Sequence, residues 1–253
     1  MSDQQHKAAQ FRALHRRGAP LVLFNVWDVG SATAVAAGGA QALATGSWSV
    51  AKANGFEDGE RIPRALVVDN LRRIVEATAL PVTIDLESGY GDTPDAVGET
   101  IRLALDAGAI GCNLEDSDPA TGALRDPAVQ AARLGAARQA AGPGFFINAR
   151  TDVFFQGPEA GPHSALVEDV LARARAYAAA GADGLFVPGL ADLALIARLA
   201  DASPLPLNIM VGPATPPLRV LAEHGVARVS HGPGPYLLVM KALEEAARAA
   251  CIL

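Results

Sequence analysis

The chain repeats one pattern of apolar and polar positions from end to end. A short apolar run is followed by a polar or glycine-rich break, and then by a longer alanine-rich amphipathic stretch. Short apolar runs bounded by turn residues are typical of buried strands, and the longer periodic stretches are typical of helices. We predict strands at Leu21–Val26, Ala42–Thr45, Val82–Leu86, Gly111–Glu115, Phe145–Ala149, Gly184–Val187, Pro206–Met210 and Ala227–Ser230.

The predicted helices alternate with these strands. A first helix at Gln4–Arg17 precedes the first strand. The others are predicted at Ser31–Ala37, Arg64–Ala79, Pro94–Ala107, Pro127–Ala141, Ser164–Ala180, Leu190–Ala200, Pro216–His224 and Tyr236–Ala250. Strands that alternate with helices in this way indicate a parallel sheet flanked by helices.

Eight strand–helix units favour a single (β/α)8 TIM barrel with an extra N-terminal helix over an open parallel sheet. An open dinucleotide-binding sheet carries a glycine fingerprint after its first strand, and this sequence has none there. No linker or change of composition divides residues 1–253, so we expect one barrel domain. Catalytic groups of such barrels lie on the loops that follow the strands, which directs attention to those loops.

Composition and charge narrow the classes of function. Hydrophobic residues make up 50% of the chain and charged residues 19%, which excludes a disordered protein. The formal charge of −6 argues against nucleic-acid binding. No signal peptide and no apolar stretch of roughly 18 residues is visible, so we expect a cytoplasmic protein without a membrane partner. Cys112 and Cys251 form no metal-binding pair, and Cys112 is expected to be a buried thiol.

Acidic residues follow the third and fourth predicted strands. Asp85 and Glu87 share one face of a strand end, because side chains alternate along a strand. Two converging carboxylates repel unless a cation or proton lies between them, and oxygen ligands suit Mg²⁺ or Mn²⁺. The alternative is that Glu87 is solvated and Asp85 caps the next loop. Glu115 is expected to share the inner face with Asn113, whereas Asp116 is expected to open a turn.

Arg150 and the segment Thr45-Gly46-Ser47 also follow predicted strands. Arg150 would neutralise the carboxylates, or hold an anionic substrate by two hydrogen bonds, and Asp152 offers it a local partner. Thr45, Gly46 and Ser47 offer small side chains and accessible backbone N–H groups for an anion, although such residues are also ordinary in loops.

The remaining candidates are one loop aspartate and one histidine. Asp58 lies in a glycine-flanked loop, where it either forms a turn or swings into the pocket. His231 follows the eighth strand and would either line the pocket or be solvated or structural, while His163 lies in a glycine- and proline-rich segment. The sequence has no Ser-His-Asp order, G-x-S-x-G elbow or H-E-x-x-H motif. Carboxylates, one arginine and a divalent ion are therefore predicted to carry the chemistry.

Taken together, these motifs resemble the isocitrate lyase/phosphoenolpyruvate mutase superfamily from about Leu21 to Ser230. The matching segments are Asn25-Val26-Trp27-Asp28, Ser31-Ala32, Thr45-Gly46-Ser47, Asp58, Asp85 to Gly91, Asn113 to Asp116, and Asn148 to Asp152. The resemblance implies a Mg²⁺-dependent enzyme acting on small 2-keto or 2-hydroxy carboxylic acids. Most members cleave a C–C bond, which leaves an enolate, and others rearrange or hydrolyse P–C or P–O bonds.

The resemblance also implies roles for the matched residues. The implied metal ligands are Asp85 directly, with Glu87 and Glu115 directly or through water. The implied substrate-binding residues are Thr45, Gly46, Ser47, Arg150 and Asn208. Asp58, which would approach the metal from its loop, and Arg150, which would pair with a substrate carboxylate, are the implied catalytic residues.

The loop after the fourth strand departs from the superfamily pattern. Lyases carry a Lys-(Lys/Arg)-Cys-Gly-His segment there, whose cysteine acts as acid or base, and mutases carry lysine and asparagine. Residues 118–127 contain no lysine, cysteine, histidine or asparagine. We therefore predict a short-loop lyase, with a phosphonate- or phosphoenolpyruvate-type mutase or hydrolase and a non-catalytic carboxylate-binding protein as the alternatives. Members assemble as dimers or tetramers, often exchanging the last helix, so a homo-oligomer is expected.

Overall fold

The computed structural model describes residues 2–157 and 164–251, and its eight strands form one parallel sheet. The strands are β1 Leu21–Leu23, β2 Leu43–Ala44, β3 Val82–Asp85, β4 Gly111–Glu115, β5 Phe146–Arg150, β6 Gly184–Val187, β7 Leu207–Met210 and β8 Arg228–Ser230. Their order is β1-β8-β7-β6-β5-β4-β3-β2, and a parallel bridge between Val26 and Thr45 joins the segments that follow β1 and β2. The sheet is therefore a nearly closed barrel, and the predicted (β/α)8 TIM barrel is confirmed.

Helices lie between the strands along the chain. They are α1 Asp3–Ala13, α2 Val29–Ala37, α3 Ser47–Ala53, α4 Arg64–Glu76, α5 Pro94–Asp106, α6 Pro127–Ala141, α7 Ser164–Ala179, α8 Leu193–Ala202, α9 Leu218–Glu223 and α10 Gly234–Cys251. The pattern of apolar positions did not predict α3. Its seven residues make fewer than two turns, which is too short for a 3.6-residue period to show.

Several elements end earlier or begin later than predicted. β1 ends at Leu23 because Val26 turns away from β8 and donates its N–H to Ala44 O at 2.9 Å. α8 begins at Leu193 because the side chain of Asp192 caps its first turn, accepting a hydrogen bond from Leu195 N at 3.0 Å. These shifts move no candidate site residue to another strand.

Helix α1 packs against the N-terminal ends of the strands. The fully buried Phe11 of α1 meets Phe146, at the start of β5, edge to face at 5.4 Å between ring centroids. His15 stacks on Phe146 at 4.1 Å, and its Nδ1 lies 2.9 Å from Phe11 O. Burial, with the nearby positive charge of Arg228, lowers the pKa of His15 to about 3. The opposite end of the barrel, where the strands end, is left for a site.

Helix α10 leaves the barrel. Of its residues only Pro235 is buried, and every residue from 241 to 251 is exposed. Tyr236 anchors its first turn, with its ring edge to face on Trp27 at 5.1 Å. Beyond it, Leu238 is 63% exposed. In the part of the chain that the structure describes, neither α10 nor another helix is long and apolar enough to cross a membrane.

The two cysteines lie in opposite environments. Cys112 is fully buried in β4, as expected, and desolvation raises the pKa of its thiol. Cys251 is exposed at the end of α10.

Candidate active site

A cavity of about 150 Å³ lies at the C-terminal ends of the strands. Five of the predicted site residues line it, namely Gly46, Ser47, Asp58, Asp85 and Arg150. Four others lie outside its lining, namely Thr45, Glu87, Glu115 and Asn208. The loops that follow β2, β3 and β5 thus meet as the barrel geometry predicts.

Asp85 ends β3 and is held from one side only. Its carboxylate Oδ2 accepts hydrogen bonds from Ser47 N at 3.2 Å and Ser47 Oγ at 3.0 Å, at the start of α3. Its backbone N–H donates to Thr45 Oγ1 at 3.0 Å. Its other oxygen, Oδ1, is buried and has no partner among the described residues. A buried carboxylate oxygen without a donor costs free energy, so this atom is suited to a cation.

The segment Thr45-Gly46-Ser47 was expected to offer donors to an anion. In the structure these donors are used within the protein. Gly46 N donates to Val26 O at 3.1 Å, and both donors of Ser47 go to Asp85. The segment therefore closes the barrel and positions Asp85, while a direct role in substrate binding stays a prediction.

Glu87 anchors the loop that carries Asp58. Its Oε2 accepts hydrogen bonds from Gly59 N at 2.8 Å and Glu60 N at 2.7 Å. Its side chain is buried, at 4% exposure, so the alternative of a solvated Glu87 is wrong. The residues around Glu87 in the sequence do not predict its contact with Gly59, because Gly59 lies 28 residues away.

Glu60, on the loop after β2, in turn accepts hydrogen bonds from the loop after β3 that carries Glu87. We call these two sets of contacts the Glu60–Glu87 clasp. Glu60 Oε1 accepts hydrogen bonds from Ser88 Oγ at 2.7 Å and Tyr90 N at 2.8 Å. Glu60, Glu87 and Tyr90 have φ of 60°, 51° and 54°. Non-glycine residues pay roughly 1–2 kcal/mol each in this left-handed region. The clasp therefore holds two strained loops together beside the cavity.

The carboxylates at this end of the barrel repel one another. Desolvation and the charges of Asp58 and Asp85 raise the pKa of Glu87 to about 7. Desolvation and the charge of Asp85 also raise the pKa of Asp58. Desolvation raises the pKa of Glu115 too, although the Arg150 charge opposes this. These raised pKa values indicate that this end of the barrel holds more carboxylates than its positive groups can neutralise.

These residues fit a Mg²⁺ ion that keeps part of its water shell. Within residues 2–157 and 164–251, no three His, Cys, Asp or Glu side chains converge as a ready-made metal site. Mg²⁺ does not need such a set, because it retains several waters and binds through one or two carboxylates. The unpartnered Asp85 Oδ1 supplies one such ligand.

Arg150 ends β5 and contacts two carboxylates. Its Nε and NH2 donate to Asp152 Oδ1 at 2.6 Å and Oδ2 at 3.1 Å, and NH1 lies 2.8 Å from Glu115 Oε2. Desolvation alone would lower the pKa of Arg150, but the negative charges of Glu115 and Asp152 raise this pKa above its ordinary value. A guanidinium has five N–H donors, and these contacts use three. Arg150 lines the cavity, and no described residue accepts a hydrogen bond from its remaining two N–H groups.

Asp116 does not open a turn, and that prediction is wrong. It is fully buried, and it accepts hydrogen bonds from Arg173 NH1 at 3.0 Å and Tyr177 OH at 2.8 Å. It also accepts from Asp152 N at 3.0 Å. The alternation of β4 turns Asp116 outward, toward α7, while Glu115 faces inward. Asp116 thereby fixes Asp152, the partner of Arg150.

Asn208 and His231 lie beside the cavity without lining it. Asn208 is buried and exchanges hydrogen bonds with Ser230, from Nδ2 to Oγ at 3.2 Å and from Oγ to Oδ1 at 3.3 Å. The His231 ring lies 5.0 Å from that of Phe24, and burial lowers the pKa of His231. It is a partly buried residue packed beside Phe24, which agrees with the structural alternative. His163 falls outside the described residues.

Sequence reasoning assigned no site role to several residues that line the cavity. Asn25 joins three strand ends, since its Oδ1 accepts from His231 N at 3.0 Å and Gly232 N at 2.9 Å, and its Nδ2 donates to Thr45 O. Phe186 and Met210 form apolar walls. In sequence these two are ordinary strand residues, and only their position at strand ends could have pointed to them.

The loop after β4 is closed on itself. Ser117 pairs with Leu124 in an antiparallel bridge, Asp118 N donates to Ala123 O at 2.9 Å, and Gly122 N donates to Asp118 O at 2.7 Å. None of these residues lines the cavity. The loop therefore brings no side chain to the cavity in this structure.

A parallel barrel with a carboxylate cluster and one arginine at its C-terminal end is typical of the isocitrate lyase/phosphoenolpyruvate mutase superfamily. The chain belongs to the phosphoenolpyruvate phosphomutase family, whose model matches residues 11–251. An uncharacterized protein of Mycobacterium tuberculosis is 38% identical over 239 residues, which cover 94% of this chain and 88% of that protein. The oxaloacetate decarboxylase of a Bradyrhizobium species is 30% identical over 191 residues, which cover 72% of this chain and 63% of the enzyme.

Solved structures agree with this assignment. A Burkholderia cenocepacia protein, provisionally described as a phosphonomutase, is 61% identical, with a TM-score of 0.95 over 98% of this chain and 99% of that one. A phosphonopyruvate hydrolase solved with oxalate and Mg²⁺ shares the fold at 19% identity, with a TM-score of 0.81 over 96% of this chain and 86% of that one. The superfamily thus includes lyases, mutases and hydrolases, with Mg²⁺ in the last structure.

Proposed function

We propose that this protein is a Mg²⁺-dependent lyase that breaks a C–C bond of a small 2-keto or 2-hydroxy carboxylic acid and leaves an enolate. The observation that carries the proposal is Asp85, whose buried Oδ1 lacks a partner beside a cavity that Arg150 also lines. A divalent ion bound at Asp85 would act as a Lewis acid that stabilises developing negative charge on the substrate. Glu87 and Glu115 would support it directly or through water, and Mn²⁺ would serve in its place.

The cavity and its charges suit a small dicarboxylate. Its volume of about 150 Å³ is below the lower end, about 300 Å³, of pockets that take drug-sized ligands. The two remaining N–H groups of Arg150 would hold a carboxylate at one end and orient the bond to be broken. Asp58, on the loop held by the Glu60–Glu87 clasp, would deliver a proton to the enolate carbon.

Among these reactions, loss of CO2 from a 2-keto diacid fits the lining best. Cleavage of a 2-hydroxy acid needs a base to remove the hydroxyl proton, whereas decarboxylation leaves the electron pair of the broken bond in the enolate directly. Apart from its carboxylates, the described lining contains no side-chain base, since it has no lysine, cysteine or histidine and the loop after β4 supplies none. The similarity to an oxaloacetate decarboxylase supports the same direction.

A phosphonate or phosphoenolpyruvate substrate is less well supported. A phosphoryl group carries more negative charge than a carboxylate and is usually met by several cationic donors. Arg150 is the one cationic side chain in the described lining, and it already contacts Asp152 and Glu115.

The test is turnover of a panel of 2-keto diacids, 2-hydroxy diacids and phosphonopyruvate, with MgCl₂ or after EDTA treatment. We expect Mg²⁺-dependent release of CO2 from a keto diacid, above the rate of metal-promoted spontaneous loss, and no such release by Asp85→Ala. The matched control is Asp106→Ala, at an exposed aspartate of α5.

Calorimetry on the same variants measures the metal site. Mg²⁺ affinity should fall most in Asp85→Ala and less when Glu87 or Glu115 is replaced. Equal Mg²⁺ affinity in wild type and Asp85→Ala would refute the site. Mg²⁺ binding without turnover of any acid in the panel would favour the non-catalytic carboxylate-binding protein, and turnover of phosphonopyruvate alone would favour phosphonate chemistry.

We also propose that the protein is a homo-oligomer, a dimer or tetramer, in which α10 of one copy covers an apolar groove of another. The groove, of about 610 Å³, runs along β1, α2 and the start of the same copy's α10, and is lined by Val22, Phe24, Val35 and Val239 among others. The exposed leucines of α10 and this groove are complementary surfaces of one chain, which suits a two-fold contact. The predicted cytoplasmic location and the absence of a nucleic-acid partner stay predictions.

Sedimentation tests this assembly. Wild type should sediment as a dimer or larger, and Leu238→Glu should shift it toward the 26.0 kDa monomer. Lys241→Glu, an exposed change on the same helix, is the control and should leave the assembly intact. A monomeric wild type at micromolar concentration would overturn the proposal.

A further inference from the structure

Asn113 lies on the floor of the cavity, next to Asp85. It is the β4 residue paired in register with Asp85 on one side and with Asn148 of β5 on the other. Asn113 is 5% exposed, and it is one of the residues that line the cavity. Its Oδ1 accepts hydrogen bonds from Asn148 Nδ2 at 2.9 Å and from Arg228 NH2 at 3.2 Å.

The contact with Arg228 determines which end of the Asn113 amide faces the cavity. The oxygen and nitrogen of an amide have nearly the same shape, so their hydrogen-bond partners must assign them. A guanidinium has only donors, so it must meet the oxygen. Arg228 is 1% exposed, and its Nε and NH1 have no hydrogen-bond partner among the described residues, so no carboxylate there accepts a hydrogen bond from them. A flipped Asn113 would set its NH2 group against Arg228.

The Nδ2 group of Asn113 is therefore left for the cavity. None of the described residues accepts a hydrogen bond from it. The neighbouring donors are already used, since Ser47 Oγ donates to Asp85 and Asn25 Nδ2 donates to Thr45 O. The floor of the cavity thus offers a neutral N–H donor beside the carboxylate that would hold the metal.

We infer that Asn113 is a substrate-binding residue, whose Nδ2 donates to a carboxylate or keto oxygen of the acid in the cavity, and that Arg228 is the positioning residue that fixes this orientation. The inference rests on the proposed function, because it takes the ligand to be a small oxygen-rich acid. It adds a selection rule. A ligand that places a methyl or ammonium group on this floor is disfavoured, because the amide donor is then left without an acceptor.

The test is calorimetric titration with oxalate in MgCl₂, with Mg²⁺ alone as the reference titration. Asn113→Asp keeps the shape and both acceptor contacts with Asn148 and Arg228, so it should fold, but it turns an acceptor toward the ligand. Asn113→Leu removes the donor without adding charge. Losing a hydrogen bond to a charged ligand lowers affinity roughly ten- to a hundredfold, and we expect a loss of at least about tenfold in both variants. Their Mg²⁺ affinity should not fall, and Gln139→Glu, on the exposed face of α6, should match wild type.

A double-mutant cycle separates positioning by Arg228 from a purely structural role. Arg228→Met should weaken oxalate binding in the wild-type background and leave it unchanged in the Asn113→Leu background, whereas a general loosening of the fold would weaken both. Wild type that binds no oxalate with Mg²⁺ would overturn the proposed function and this inference with it. Wild type that binds oxalate while folded Asn113→Asp and Asn113→Leu bind it equally well would overturn the inference alone.

Discussion

Replacing Arg150 with lysine tests whether the arginine binds substrate as well as pairing with its neighbours. Lysine keeps the positive charge but loses the planar arrangement of donors. In wild type, three of the five N–H groups contact Asp152 and Glu115, and the other two have no acceptor among the described residues. A lysine ammonium has three N–H groups on one atom, so it cannot keep the fork to Asp152 and also reach a ligand.

The magnitude of two effects follows from these contacts. A hydrogen bond between charged groups contributes about 1.5–3 kcal/mol, so the Kd for oxalate should rise roughly ten- to a hundredfold. Asp152 and Glu115 are largely buried, and their incomplete satisfaction should lower the free energy of unfolding by about 1–3 kcal/mol. Mg²⁺ binding at Asp85 should persist, because the charge is retained.

Calorimetry with oxalate and thermal melting distinguish the two roles. Arg138→Lys is the matched control, since Arg138 binds Gly181 O, Phe145 O and Asp183 near the N-terminal ends of β5 and β6. It should lose stability and keep its affinity for oxalate. If Arg150→Lys behaves in the same way, Arg150 is structural only and the reasoning from its two remaining donors is refuted.

Two further predictions concern His15, at the N-terminal end of the barrel, and the Glu60–Glu87 clasp, beside the cavity. The pKa of His15 is about 3 in the folded chain and near 6.5 in the unfolded chain, so stability from the neutral ring is complete above about pH 6.5 and declines as the pH falls toward 3. Between about pH 7.5 and about pH 5 this should remove about 2 kcal/mol in urea unfolding, and His15→Phe should lose that part of the decline while His6→Gln, on the same helix, retains it. Glu60→Ala leaves Tyr90 N and Ser88 Oγ without their acceptor, so it should lower stability by about 1–3 kcal/mol and speed tryptic cleavage after Arg61. An unchanged cleavage rate would show that the Glu60–Glu87 clasp does not hold the loop.

The strands could be predicted because each is an apolar run with a clear end. Seven-residue α3 could not, and it matters for the site, since its first residue holds Asp85. The alternation of β4 correctly predicted Asn113 on the inner face. It could not predict the contacts of Asp116, because the partners of Asp116 on α7 are 57 and 61 residues away.

The candidate site shows the same division between local and distant information. The position of Asp85 and Arg150 at strand ends follows from sequence. What each side chain does depends on partners that are distant in sequence, such as Gly59 for Glu87 and Ser47 for Asp85. From the sequence alone, either a substrate carboxylate or Asp152 could be the partner of Arg150. The structure shows Asp152 paired with it, and counting the donors leaves room for both.

The opposite environments of the two cysteines give the protein a natural labelling position. Thiol reagents attack the accessible thiolate, so they should modify Cys251 and spare Cys112. A fluorophore can then be attached at the far end of α10 without any substitution. Energy transfer between differently labelled copies would follow exchange of subunits in the native sequence, and the anisotropy of a single label would report whether this helix tumbles freely or is held.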